Sequence, residues 1–208
     1  MAQAIPGPSP NPGDESPHIR GLIFDCDGTL ADTMPLHWRA WRTIASRHGF
    51  EFGEDRFYAL GGVPSRDILR MLSVEQGLRF DPLAVAHEKE AEYLPLIQQV
   101  EPIGAIVAVV HANQGRRPMA VASGGTRPII TQVLRHLGIL DCFQAIVTSE
   151  DVQRQKPAPD IFLEAARRIG IPPHACRAFE DTDLGLEAIR AAGMEAIDVR
   201  QHGAMRQA

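Results

Sequence analysis

The sequence predicts an α/β protein: a doubly wound parallel sheet with a small all-helical cap inserted after the first strand. Three observations lead there. Short, continuously apolar runs end in polar residues, as strands buried on both faces of a parallel sheet do. In the C-terminal half these runs alternate with helix-periodic segments. Between about Met34 and Gln99 only helix patterns occur.

Each element follows in order. Residues 1–17, MAQAIPGPSPNPGDESP, are rich in proline and almost free of large apolar groups, and are expected to be a disordered tail. The core is expected over 18–31 and 100–208, and the helical cap over 32–99. GLIFD (21–25) is the first strand. Trp38, Trp41, Ile44 and Ala45, then Ile68, Leu69 and Leu72, mark cap helices, followed by the charged stretch AVAHEKEAEYLPLI. The two tryptophans are expected in the cap core. PMAVAS (118–123) is a strand followed by a helix with Ile129, Ile130, Val133, Leu134 and Leu137 on one face, stopped at Gly138. AIVTS (145–149) precedes a helix with Pro159 in its first turn and Ile161, Phe162, Ala165 and Ile169 inward. CRAFED (176–181) leads into a helix through Leu184, Ala188 and Ile189 that ends at Gly193, and EAIDV (195–199) is the last strand.

Composition narrows the function. The chain has 208 residues, 44% of them apolar and 23% charged, with a formal net charge of -5 and no long run of one sign. That balance argues against nucleic-acid and anionic-membrane partners and for a small ligand. Cys26, Cys142 and Cys176 are dispersed and odd in number, fitting reduced thiols. No apolar run reaches the roughly 18 residues of a membrane helix, and no signal peptide is visible at the N-terminus. A cytoplasmic protein, monomer or weak dimer, is expected.

The polar residues that end the strands carry the chemistry. Asp25 and Asp27, Ser123, Lys156, and Glu180 with Asp181 fall at one edge of a parallel sheet, where ligands bind in open α/β folds. Carboxylates at that density repel unless a cation sits among them, and hard oxygen donors suit Mg²⁺. Lys156 and Ser123 would then face a further anion, most simply a phosphate. A carboxylate held there can attack phosphorus in line, and Asp27, which points the same way two residues on if the strand extends that far, can carry protons.

DCDGTL, the serine ending VAS, KPAPD and FEDTDLG stand in the order of the four signature motifs of the haloacid-dehalogenase-like superfamily, and the sequence from residue 20 onward resembles that family. The helical insertion is similar to the small C1 cap of its β-phosphoglucomutase-like branch. The resemblance implies Asp25 as nucleophile and Asp27 as general acid/base. It implies Ser123, Gly124 and Lys156 as phosphate holders. Mg²⁺ would bind the side chains of Asp25 and Asp181 and the main-chain carbonyl of Asp27, with Glu180 behind them or ligating through water. In the cap, His37, Arg66 and Lys89 resemble substrate-contacting positions; the plainer alternatives are a helix-surface histidine for His37 and a solvated charge for Lys89. Asp27 stands as in phosphatases and phosphomutases and not as in dehalogenases. HWRAW, VEPIGAIVAVVHANQGRRPMAV and AAGMEAIDVR resemble segments of bacterial fructose-1-phosphate phosphatases. The expected activity is therefore Mg²⁺-dependent hydrolysis of small sugar phosphates, with a phosphomutase as the alternative and a catalytically silent phosphometabolite-binding protein as the third reading.

Overall fold

The computed structural model describes residue 16 and residues 18–202. The expected disordered tail falls outside these residues except for Ser16, whose hydroxyl accepts a hydrogen bond from Arg177 Nη2 at 3.1 Å.

The chain enters through strand β1 (Gly21–Phe24), makes a tight turn into the short β2 (Ala31–Asp32), and then runs through four helices, α1 (Met34–His48), α2 (Glu54–Ala59), α3 (Ser65–Gln76) and α4 (Pro82–Tyr93). A 3₁₀ segment over Leu94–Gln99 leads to β3 (Glu101–Pro102). From there helices and strands alternate: α5 (Gly104–Asn113), β4 (Met119–Ala122), α6 (Arg127–His136), β5 (Ala145–Val147), α7 (Asp160–Arg168), β6 (Cys176–Glu180), α8 (Asp183–Ala191) and β7 (Glu195–Asp198).

The five expected strands form one parallel sheet in the order β5-β4-β1-β6-β7. β1 is central, so its apolar run is covered on both faces. On one side Phe24, Met119 and Val121 pack with Ile106 and Val110 of α5 and Ile130, Val133 and Leu134 of α6. On the other, Ile23, Ala120 and Ala178 pack with Ile161 and Phe162 of α7 and Ile189 of α8. Phe24 and Phe179 are register partners, and their rings stack at 4.7 Å with 7° between planes. Such a pair adds about 0.5–1.5 kcal/mol beyond its buried area. It also holds the C-terminal ends of β1 and β6 together, and those ends carry the carboxylates.

The expected helix stops hold: Gly138 and Gly193 adopt φ of 70° and 74°, the left-handed conformation that glycine reaches without strain. Leu186, not Leu184, is the fully buried leucine of α8. Three elements, α5, β2 and β3, were not expected. α5 is apolar nearly all round and offers no polar face to reveal a period. β2 and β3 are two residues each and pair antiparallel, Ala31 with Pro102 and Asp32 with Glu101, so the chain's exit to the cap and its return lie side by side.

The cap helices enclose an apolar cluster of their own, with Trp41, Ile44, Phe50, Phe52, Phe57, Leu69 and Leu72 at its centre. Trp41 is buried there as expected, and Trp38 is stacked against Phe57 at 5.4 Å. Trp41 thus belongs to the cap core, and Trp38 packs against it partly buried.

Candidate active site

The site begins where β1 ends. The Asp25 N–H still donates to the Phe179 carbonyl at 3.0 Å, so its side chain is fixed at the sheet edge. The chain then turns tightly: the N–H groups of Thr29, Leu30 and Ala31 all donate to the Cys26 carbonyl, at 3.0 to 3.3 Å. Gly28, at φ 84°, makes that turn possible, and any Cβ there would run into the Asp181 carboxylate. Thr29 Oγ1 donates to Asp181 Oδ1 at 2.9 Å. The glycine and threonine of DGT therefore seat Asp181, across 152 residues of sequence.

Lys156 joins the two strand ends. Its Nζ donates to Asp25 Oδ1 and Glu180 Oε2, both at 2.7 Å, and all three side chains are buried. The other oxygen of Glu180 accepts from the N–H groups of Asp181 and Thr182 and from Thr182 Oγ1, at 2.8 to 3.1 Å. A Cβ at residue 185 would strike the Glu180 carboxylate, which explains the glycine of DTDLG. Ligand oxygens of Asp25, Glu180 and Asp181 lie within 4.8 Å of one another.

This cluster carries more negative charge than Lys156 offsets. Burial, then the neighbouring Glu180 charge, pushes Asp25 well above the ordinary carboxylate range, and the same two causes lift Asp181 to about 7. For Lys156, burial opposes the charge, but Asp25 and Glu180 outweigh it and hold the ammonium above its usual value. A buried, all-oxygen donor set with surplus negative charge fits a hard divalent cation.

Asp27 faces the cap. Its Oδ1 accepts from Thr33 Oγ1 at 2.7 Å and lies 3.2 Å from His37 Nε2; its Oδ2 accepts from Ser123 Oγ at 3.4 Å. Lys89 Nζ is 2.9 Å from His37 Nδ1. A lysine ammonium only donates, so His37 accepts at Nδ1 and carries its proton at Nε2, toward Asp27. Burial works against the Asp27 charge, but the His37 and Thr33 hydrogen bonds and the Lys89 charge overcome it and hold the group at about 2. Burial lowers Lys89 to about 8, and burial together with the Lys89 charge lowers His37.

Lys89 is thus no solvated charge, the plainer alternative for it: it is 5% exposed, with its ammonium 5.7 Å from the Trp41 ring centroid and 5.5 Å from that of Tyr93. Nor is His37 a free surface histidine, since its ring stacks on Tyr93 at 3.8 Å. Arg66, in the first turn of α3, reaches the Ser149 carbonyl across the cap–core boundary at 3.4 Å. Ser123 Oγ accepts from the Gly125 N–H at 3.1 Å, so it braces its own loop while facing Asp27. Gly62, at φ 81°, brings its carbonyl against Gly124, where a side chain at 124 would collide with it.

Asp25, Asp27, His37, Arg66, Lys89, Ser123 and Gly124 all line one cavity of about 150 Å³ between cap and core, with Lys156, Glu180 and Asp181 beneath Asp25. A cavity of that size is on the scale of a small molecule. The structure brings every expected site residue to it or directly under it. Thr29, Thr33, Glu90, Tyr93 and Thr182 were not singled out as site residues. Thr29 and Thr182 stand within DGTL and FEDTDLG, and Thr33 six residues past Asp27, but only the fold shows whom they bond. The Tyr93 hydroxyl is buried with no hydrogen-bond partner among the described residues.

The haloacid dehalogenase-like hydrolase family model matches residues 19–193. The chain belongs to that family. It is 44% identical over 181 residues to the fructose-1-phosphate phosphatase YqaB of Escherichia coli, an alignment covering 86% of this chain and 96% of that protein. It is 31% identical to the β-phosphoglucomutase of Bacillus subtilis, covering 88% and 84%. Among solved structures, a β-phosphoglucomutase from Clostridium difficile superposes with a TM-score of 0.78 at 26% identity, covering 86% and 84% of the two chains. This family member is a hydrolase whose relatives include named phosphatases. Among its described residues no helix is long and apolar enough to cross a membrane.

Proposed function

We propose that this chain is a Mg²⁺-dependent phosphatase of small sugar phosphates such as fructose 1-phosphate, working through an aspartyl-phosphate on Asp25. The observation that carries the reading is the pairing of Asp25, clamped by Lys156 beside Glu180 and Asp181, with Asp27, held by the cap, on one small cavity. The 44% identity to a fructose-1-phosphate phosphatase supports the substrate class.

In this mechanism the Asp25 carboxylate attacks phosphorus while the bond to the ester oxygen breaks. Asp27 gives its proton to the departing alkoxide and then takes one from the water that displaces phosphate from Asp25. The hydrogen bonds seen here keep Asp27 ionised, the state required for the water step. The proton-donating step requires Asp27 to arrive protonated, and the Thr33 and His37 contacts set how readily that happens. Lys156 and the Ser123–Gly124 loop hold phosphoryl oxygens. Asp25, Asp181 and the Asp27 carbonyl, with Glu180 behind them, would hold Mg²⁺, which supplies positive charge to the phosphoryl group. The buried thiols of Cys26, Cys142 and Cys176 support a reducing, cytoplasmic setting.

A phosphomutase is the second reading, favoured by the relationship to β-phosphoglucomutases and served by the same two aspartates. Phosphate release from a panel of sugar phosphates, run beside isomerisation of β-glucose 1-phosphate, separates the two. Release that stops in EDTA and returns with Mg²⁺ is expected. Isomerisation without net release overturns the hydrolase reading, and release that persists in chelator overturns the metal assignment.

A further inference from the structure

Helix α4 presents two adjacent charges to the cavity in different ways. Lys89 lies on the buried stripe of Val85, Ala86, Lys89 and Tyr93. Glu90 lies on the neighbouring stripe, where Leu83, His87 and Glu90 follow helical spacing and all line the cavity. Glu90 is half-buried, and among the described residues no lysine, arginine or histidine lies within ion-pair distance of it. Its one hydrogen-bond partner among the described residues is Thr126 Oγ1, which donates to Oε1 at 3.2 Å from the core side. Glu150, the cavity's other peripheral carboxylate, is differently engaged, since its Oε2 accepts the Arg127 N–H at the start of α6.

An ionised carboxylate has about four acceptor positions, and leaving them unmet once a ligand displaces water is costly. The donors that a simple sugar phosphate brings to Glu90 are its hydroxyl groups. An anionic tail would instead be repelled there. We propose that Glu90 is a specificity residue that accepts hydrogen bonds from substrate hydroxyls, selecting polyol monophosphates over phosphoesters with a carboxylate tail or with no hydroxyls. This rests on the sugar-phosphate reading above and extends it to a residue outside the recognised motifs.

The test compares the unaltered protein with Glu90→Gln and Thr126→Val on fructose 1-phosphate, glucose 6-phosphate, phosphoglycolate and p-nitrophenyl phosphate. Losing a hydrogen bond to a charged group should lower kcat/KM for the better sugar phosphate roughly tenfold to hundredfold more than for p-nitrophenyl phosphate in Glu90→Gln, mainly through KM. Phosphoglycolate should gain relative to both. If Glu90 were only a latch to Thr126, Thr126→Val would reproduce Glu90→Gln, and both would lower all four substrates alike. That outcome, or an unchanged substrate ranking in Glu90→Gln, overturns the inference alone. Release from p-nitrophenyl phosphate but from no sugar phosphate, in the unaltered protein, overturns it together with the sugar-phosphate reading.

Discussion

Two lysines flank the site from opposite sides, Lys89 lining the cavity from the cap and Lys156 lying beneath Asp25 in the core, and both are almost fully buried, at 5% and 4% exposure. Both lie near aromatic rings, Lys156 over Phe162 and Lys89 by Trp41 and Tyr93. They differ in their direct partners. Lys156 touches two carboxylates at 2.7 Å, whereas Lys89 touches a neutral imidazole. Burial opposes both charges, yet Lys156 is held above its ordinary value and Lys89 falls to about 8. The core side is over-supplied with anions, whereas among the described residues the cap cation has no carboxylate within ion-pair distance and feels Asp27 and Glu90 only from further off. A phosphoester closing between them meets positive charge from the cap and a metal-fitting acid cluster from the core, which is the electrostatic arrangement phosphoryl transfer needs.

The sharpest way to break the comparison is to alter Asp25, the carboxylate that Lys156 holds and the nucleophile of the proposed mechanism. Asp25→Asn should reduce phosphate release by on the order of 10⁴-fold or more while the thermal midpoint stays close to that of the unaltered protein. Substantial residual turnover would remove Asp25 as nucleophile. Asp27→Asn tests the group to which Lys89 is wired through His37. It should cost about 10²- to 10⁴-fold, the usual worth of acid/base help, with a stalled phosphoenzyme visible by rapid quench. Normal kinetics in that variant would mean the proton travels by another route.

The contrast between the lysines was only half legible in the sequence. The strands were readable because most are short apolar runs closed by a polar residue, and Asp25, Asp27, Ser123, Lys156, Glu180 and Asp181 could be aligned because parallel strands share an edge. KPAPD marked Lys156 by its motif. Lys89 carries no such mark: HEKE sits among other charges, and only the packing of α4 against α1 puts its ammonium beside Trp41 while Glu88 pairs outward with Arg47 and His48. Likewise β2 and β3 are too short to show a period, and Thr33 gains meaning only when the turn after Asp27 folds it back onto that carboxylate.

Replacing Lys156 should separate the two sides in stability. Lys156→Met would leave Asp25 and Glu180 buried without their shared cation, and breaking a buried pair in this way costs roughly 3–5 kcal/mol. Thermal unfolding in metal-free buffer measures it. A midpoint no lower than that of the unaltered protein would show that the carboxylates accommodate the loss by taking up protons.

Lys89→Met should do the reverse. Folding carries Lys89 from 10.5 to about 8, so at neutral pH the native state holds a charge that burial disfavours. A lysine lowered on folding binds fewer protons in the native state than in the unfolded one between those two values, so stability rises with pH across that window and the penalty is fully present below it. The displacement, which already includes the attraction to Asp27 and Glu90, corresponds to at most about 3 kcal/mol. Methionine matches the length of the stem and fits between Trp41 and Tyr93. Lys89→Met is therefore expected to melt higher than the unaltered protein at pH 7, with the advantage shrinking as pH rises from 8 toward 10.5, while its phosphatase activity falls. Equal midpoints for the two proteins at every pH would show that the attraction of Asp27 and Glu90 already offsets the burial of Lys89, and the two lysines would then be balanced alike.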